Sequence, residues 1–300
     1  MGRSLGDRNR MYVLITAARN EEHFIERAIV SVARQSLLPA RWVIVDNGST
    51  DRTREVVARN ARRYSFLRLI SLAPSGSGFA QKVCAIEAGY EELRALPFDF
   101  VGVLDADITL EPTYYERLLA FFRSEPRLGI AGGVILEADK GVFRPRYGNS
   151  PDYVAGAIQM FRRACYEAIG GYLPLPHAHE DTVASEMARM HGWEVRSFPE
   201  LQAWHHRRSS TGQGRLLAAR FHQGEADYAV GYHPLFELVK FVRRLGESPL
   251  LAGSTVRLSG YLWAAARHRR RPVDGRFVSH LRNRQMARLY AFLRRKAQYA

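Results

Sequence analysis

Short apolar runs that each end in an acidic or Asn/Gly-rich loop are the feature that most restricts what this chain can fold into. Residues 11–17 (Met-Tyr-Val-Leu-Ile-Thr-Ala), 42–46 (Trp-Val-Ile-Val-Asp), 66–70 and 99–104 are rich in β-branched and aromatic side chains. Such runs, too apolar to alternate with polar residues, describe strands buried on both faces, as in a parallel sheet. The stretches between them carry helical spacing instead. In 21–35, Phe24, Ile25, Ala28, Ile29 and Val32 share one face, and 51–63 and 79–95 follow the same period. Strand–helix–strand repetition predicts an α/β architecture: a doubly wound, mostly parallel sheet flanked by helices. Helices over 112–124 and 180–192 and a strand over 194–204 are expected to continue it.

Three of the strands deliver polar loops. The first ends in Ala18-Arg19-Asn20-Glu21-Glu22, the second in Asp46-Asn47-Gly48-Ser49-Thr50-Asp51, the fourth in Asp105-Ala106-Asp107. Each alone has a structural explanation, since Asn20, Ser49 and Thr50 are good helix caps and Asp46 opens turns. Together they stand where open parallel sheets bind ligands, beyond the carboxyl ends of the strands. Asp105 and Asp107 carry the most weight, because Val101-Gly102-Val103-Leu104 commits them to the rim of the sheet. Two carboxylates one residue apart can reach one hard cation, and Mg²⁺ and Mn²⁺ prefer such oxygens and share them with phosphates.

Thr16-Ala17-Ala18-Arg19-Asn20-Glu21-Glu22, Val43-Ile44-Val45-Asp46-Asn47-Gly48-Ser49-Thr50-Asp51 and Leu104-Asp105-Ala106-Asp107 resemble the family 2 glycosyltransferases of GT-A fold. Gly170-Gly171-Tyr172 followed by Glu180-Asp181 resembles that family's glycine-pair turn and Glu-Asp. The resemblance covers roughly residues 11–207. Many members have proline where Ala17 stands and a second aspartate where Asn47 stands. The resemblance implies a nucleotide-diphosphate sugar donor held by Ala18, Glu21 and Asp46, with Asp46 at the base and Glu21 in the nucleotide pocket. It implies Asp105 and Asp107 for the ribose–diphosphate and an Mg²⁺ or Mn²⁺ ion, and Asp181 as the catalytic base. Inverting hexosyl transfer in surface-polysaccharide or glycolipid synthesis, onto a saccharide or lipid-linked acceptor, is the expected activity. The chemistry needs those groups: a sugar hydroxyl must lose a proton, and charge on the departing diphosphate must be neutralised.

His205 and His206 follow the strand ending at Trp204, and either suits Mn²⁺ as a third ligand; His205 is favoured. Lys82, after Ser75-Gly76-Ser77-Gly78, reads equally as a phosphate contact or as part of a loop leading into a helix. Arg207, Arg208 and Arg215 lie in a Ser/Thr/Gly-rich segment that either closes over the diphosphate or is solvated. His177 and His179 stand beside the expected base, where they can help shape the acceptor site. The two cysteines, Cys84 and Cys165, have neither zinc-site nor disulfide-framework spacing.

Charge is distributed unevenly. Residues 240–300 hold 15 Lys/Arg against only Glu247 and Asp274, which accounts for +13 of the net +14. The organisation expected is therefore a disordered segment 1–10, a catalytic domain 11–235 and a basic amphipathic helical extension 236–300. Arg257 disfavours a membrane span over 247–266. A helix in the interface of an anionic membrane, with Tyr261 and Trp263 at headgroup level and the 267–271 cluster on acidic lipid, competes with a hairpin packed on the enzyme. Without the apolar core of a signal peptide at the start, a cytoplasmic address is expected, peripheral at the inner face of the membrane. Two other classes rank lower. A sugar-phosphate nucleotidyltransferase generally needs a glycine-rich basic loop after the first strand, and Ala18–Glu22 is acidic and lacks glycine. A nucleic-acid-binding protein has only the tail in its favour, so nucleic acid is not an expected partner.

Overall fold

The computed structural model describes residues 11–73, 78–139, 141–146, 148–207, 216–245 and 251–297. The expected disordered segment 1–10, the glycine-containing stretch 74–77 and Arg208 and Arg215 lie outside these residues. The chain divides into two compact units, Met1–Pro174 with Glu180–Ser209, and Leu175–His179 with Ser210–Ala300.

In chain order the first unit contains β1 (Tyr12–Ala18), α1 (Ile25–Ala33), β2 (Arg41–Asn47), α2 (Thr53–Arg63), β3 (Leu67–Leu72), α3 (Phe79–Leu93), β4 (Phe100–Val103), β5 (Ile108–Leu110) and α4 (Tyr114–Ser124). It continues with β6 (Leu128–Asp139), β7 (Val142–Pro145), β8 (Met160–Arg162), α5 (Arg163–Ile169), α6 (Glu180–Met190) and β9 (Glu194–His205). The strands form one sheet in the order β3-β2-β1-β4-β8-β6-β9-β5, with β7 paired to β6. The first four are parallel, as the apolar runs predict. Strand β8 then runs antiparallel to β4 and to β6, and β9 runs parallel to β6. The chain moves outward from β1 through β2 to β3 and returns to β4 on the other side of β1. That reversal opens a crevice at the carboxyl ends of β1 and β4.

Both faces of the sheet are buried. Leu14, Trp42 and Ile44 pack with Ile25, Ile29, Tyr114 and Phe122 on one side. Val13, Ile15, Val43 and Val45 pack with Val83, Ile86, Phe161 and Tyr166 on the other. Each large side chain of this kind contributes about 1.5–3 kcal/mol on burial. Trp42 Nε1 donates to Thr16 Oγ1 at 3.0 Å, and Thr16 Oγ1 donates to the Leu104 carbonyl at 2.6 Å. Those two bonds lock β1, β2 and the end of β4 together just below the crevice.

The second unit is helical, with α7 (Leu216–Val230), α8 (Pro234–Arg243), α9 (Ala252–Ala266) and α10 (Gly275–Ala297). The boundary expected at 235/236 falls inside α8, because α7 spends its small buried face on α9. A Cβ on Gly224 would lie 1.9 Å from the Arg257 carbonyl oxygen, and one on Gly260 would lie 2.0 Å from that of Phe221. The basic extension is partly internal. Asp227, fully buried, accepts from Arg257 Nε at 2.7 Å and from Lys240 at 2.9 Å. Tyr261 is 4 % exposed and donates to the Tyr232 carbonyl, so it cannot reach a headgroup, whereas Trp263 is 46 % exposed. Among the described residues, no helix is long and apolar enough to cross a membrane.

Gly224→Ala should cost at least about 2 kcal/mol, since the new methyl meets backbone and not a flexible side chain. A lowered thermal midpoint with faster proteolysis within 216–297 would report it; an unchanged midpoint would show that α7 and α9 can separate freely.

Candidate active site

The loops after β1 and β2 are built on each other. Asn20 adopts φ 56°, a left-handed conformation that asparagine tolerates. Its Oδ1 accepts the Thr50 N–H at 2.9 Å, and its own N–H donates to Ser49 Oγ at 3.0 Å. The Glu21 N–H donates to Thr53 Oγ1 and the Glu22 N–H to Asp51 Oδ2. Residues that read as ordinary helix caps thus also hold Glu21 in place. Asp46 is buried and accepts the Ser49 N–H at 3.2 Å, the turn made feasible by Gly48 at φ 70°. Ala18 is buried opposite it in the β1–β2 register.

Asp105 and Asp107 face different partners. Lys82 Nζ lies 2.7 Å from Asp105 Oδ1, so the lysine of α3 reaches the rim. Asp107 is buried, and its Oδ2 accepts from Arg207 Nε at 2.9 Å and His205 Nε2 at 3.1 Å. Burial would raise the Asp107 carboxyl, but His205 and Arg207 outweigh it and hold the group down at about 2. Burial would lower His205, but the hydrogen bond to Asp107 and the acids around the ring lift it to about 9. Arg207 also spans to both carboxylate oxygens of Glu21, whose own pKa burial keeps raised. His206 turns away to Thr109 Oγ1 at 2.8 Å. Of the two candidate histidines, only His205 meets the acid pair.

Glu180 and Asp181 open α6. Asp181 Oδ2 accepts from the Tyr153 hydroxyl and from the Gly156 N–H at 3.0 Å, and Oδ1 accepts the Thr182 N–H at 2.6 Å. Glu180 is buried, and that burial raises it to about 7 against the pull of Lys82, with Asp181 pushing it further up. For Lys82, the charges of Asp105, Glu180 and Asp181 overcome burial and keep it protonated. The glycine pair is a turn: Gly170 and Gly171 both have φ 72°, and Tyr172 donates to Gln159 Oε1. Sequence reasoning gave Tyr153 no place and Glu180 no separate role; a lone tyrosine in a loop carries no periodic signal, whereas the Glu-Asp pair did mark the position.

The donors fit a hard divalent cation. A carboxylate oxygen and an imidazole nitrogen stand 3.1 Å apart, and His205 Nδ1 is buried without a hydrogen-bond partner. Such ions take one or two carboxylates and share the rest with water and phosphate, and of Mg²⁺ and Mn²⁺ it is Mn²⁺ that tolerates an added imidazole. Asp105 would join them only by releasing Lys82.

A doubly wound sheet with acidic strand-end loops around its switch point has the layout of α/β proteins that bind ligands beyond the carboxyl ends of their strands. Residues 13–178 match the model of "Glycosyl transferase family 2", and the chain belongs to that family. It is 25 % identical over 207 residues to the beta-monoglucosyldiacylglycerol synthase of Synechocystis sp., covering 61 % of this chain and 41 % of that one. The chain spans between 28 % and 41 % of the lengths of the curated relatives it matches. Among solved structures, it resembles the mannosyltransferase PcManGT of Pyrobaculum calidifontis in complex with GDP-Man and Mn²⁺, with 17 % identity and a TM-score of 0.55. That match covers 91 % of this chain and 79 % of PcManGT. It also resembles S. aureus TarS 1–349 in complex with UDP-GlcNAc (15 % identity, TM-score 0.53, 84 % and 71 % covered). These likenesses show the GT-A-type fold.

Glu180 sets a pH signature. Its folded pKa, about 7, lies above the 4.5 of an unperturbed glutamate. The folded state therefore holds the proton more tightly than the unfolded chain, and stability falls as pH rises between those two values. The loss should reach about 2–3 kcal/mol. Glu180→Gln should melt above wild type near about pH 8 and lose that advantage near about pH 4.5. An identical difference at both would mean that Glu180 is ionised throughout.

Proposed function

We propose that the chain is an inverting glycosyltransferase that moves a hexose from a nucleotide-diphosphate sugar to an acceptor hydroxyl. The observation that carries this reading is the meeting of Glu21, Asp105 and Asp107 from the β1 and β4 ends with Lys82, His205 and Arg207. The nucleoside belongs at the β1 and β2 loops, with Asp46 toward the base and Ala18 and Glu21 beneath it. Lys82 and Arg207, which neutralise Asp105, Asp107 and Glu21 in the free protein, are the cations available to the diphosphate. Asp107 would hold an Mg²⁺ or Mn²⁺ ion, with Asp105 able to join and His205 a further ligand in the case of Mn²⁺. Such an ion supplies positive charge to the leaving diphosphate.

Asp181 is the base in this reading. The acceptor oxygen forms a bond to the anomeric carbon as the bond from that carbon to the diphosphate oxygen breaks, and the hydroxyl proton passes to the carboxylate. One such displacement inverts the anomeric centre. Tyr153, Gly156 and Thr182 fix the carboxylate's orientation, which keeps it poised without further reorganisation. Glu180 is the alternative base, favoured by one observation: its pKa of about 7 suits proton acceptance at neutral pH.

A panel of UDP-, GDP- and dTDP-sugars with Mn²⁺ or Mg²⁺ identifies the donor by binding or slow hydrolysis. Asp107→Ala should abolish cation-dependent donor binding and leave the fold intact; unchanged cation-dependent turnover would remove the reading. Asp181→Asn should lower transfer by about 10²–10⁴ with donor affinity nearly unchanged. If Glu180→Gln shows that loss and Asp181→Asn does not, the base is Glu180.

The acceptor is proposed to be lipid-linked, at an anionic membrane surface. Support comes from the exposed apolar stripe Leu235, Leu238 and Val242 on α8, and from exposed Leu262 and Trp263 on α9 with Arg267 stacked on Trp263. Exposed Arg267 and Arg270 supply charge beside that second patch. Co-sedimentation should be strong with anionic vesicles, weak with neutral ones, and largely reversed by about 1 M salt. Trp263→Ala with Arg267→Gln should weaken it without changing turnover of a soluble acceptor. Equal binding to neutral vesicles would instead make the contact purely apolar.

A further inference from the structure

The second unit carries a group of side chains that the transfer chemistry does not use. His222 and Glu225 sit one turn apart on α7, and His177 comes from the 175–179 segment of the same unit. His222 Nδ1 lies 2.8 Å from Glu225 Oε2, and His177 Nε2 lies 3.8 Å from the same oxygen. The two imidazole rings are stacked, 4.6 Å between centroids and 12° apart in plane. One potential ligand atom from each of the three residues falls within 4.8 Å of the others. We propose that His177, His222 and Glu225 bind one transition-metal ion of the zinc class, separate from the acid pair of the sheet.

The chemistry favours that class. Two imidazoles and one carboxylate are the three-ligand set that zinc accepts while keeping a fourth position for water. Imidazole nitrogen also selects against magnesium and calcium, which prefer oxygen alone. Glu225 is buried, and Arg269 Nη1 holds its Oε1 at 2.9 Å, which leaves Oε2 as the oxygen turned to the rings. His177 is too far from Glu225 for a hydrogen bond. Half of the His222 side chain is exposed, which provides an entry path. Binding requires each ring to turn about its Cβ–Cγ bond, out of the stack, so that both lone pairs aim at one point.

The backbone gives the ion something to do. Directly after His177, Ala178 and His179 have φ 87° and 76°, two consecutive left-handed non-glycine residues. Such a turn persists only where its surroundings hold it. His179 is tied to Asp227 at 2.9 Å, so one end of the strained pair is anchored to α7. A metal on His177 anchors the other end to the same helix. This role is independent of which sugar or acceptor the protein uses.

The test uses the full chain carrying Asp105→Asn and Asp107→Asn, stripped of metal, so that the nucleotide-side acids contribute no binding. Titration with Co²⁺ should give visible d–d bands that saturate at one equivalent and are displaced by Zn²⁺. His222→Ala and Glu225→Gln added to this background should each abolish the bands with the circular dichroism spectrum unchanged. Zn²⁺ should also protect His222 from diethyl pyrocarbonate, a readout that needs no substitution at the site. No saturable Co²⁺ spectrum, or one that survives His222→Ala, overturns the proposal, as does modification of His222 at the same rate with and without Zn²⁺.

Discussion

Everything at the sheet edge depends on how its carboxylates are neutralised. Glu21, Asp105, Asp107, Glu180 and Asp181 come from three separate segments, and like charges gathered in a partly desolvated crevice would repel one another. The fold answers with cations from elsewhere in the chain: Lys82 on Asp105, His205 on Asp107, and Arg207 on both Asp107 and Glu21. At Asp107 the cations win and hold the carboxyl low, whereas at Glu21 burial outweighs Arg207 and keeps it raised. Where burial dominates, as at Glu180, the proton is retained to near neutral pH. The same crevice thus holds strongly and weakly acidic groups drawn from different segments of the chain.

That balance also explains why the side chains are not locked against one another by apolar packing. Ion pairs exchange partners at low cost when another charge of the same sign arrives, whereas a packed core resists any displacement. A site that must admit a diphosphate is better built from replaceable counter-ions. Asp227 in the helical unit is the contrast. It is fully buried and receives Arg257, Lys240 and His179 together, and removing one such partner from a buried charge is strongly destabilising. The first arrangement is suited to change and the second to permanence.

The parallel half of the sheet was legible because its strands are long apolar runs closed by polar loops, and β1 to β4 fall within one or two residues of the ranges expected. Strands β5 and β8, of three residues each, leave no periodic trace; their register comes from partners far along the chain. The acid pair and the Glu-Asp pair were visible for the reason the strands were, their position at element ends. Partner identity was not. Nothing local tells that Lys82 meets Asp105 or that Arg207 lies across Glu21 and Asp107, since those contacts bridge from 23 to 186 positions of sequence. The tail misled in a specific way. Net charge counts Arg257, Lys240 and Arg269 as free, and Tyr261 and Trp263 look alike on paper, yet helix rotation turns one ring inward and leaves the other out.

The five-residue segment Leu175–His179 belongs to the helical unit although the residues on both sides of it belong to the sheet. The backbone therefore passes between the two units three times, at 174/175, 179/180 and 209/210. A module joined at one point can be gained or lost by a single genetic event at a terminus. This one is threaded differently: ending the chain after 209 would remove Glu225 and Asp227, the partners of His177 and His179, and leave the left-handed pair Ala178 and His179 without them.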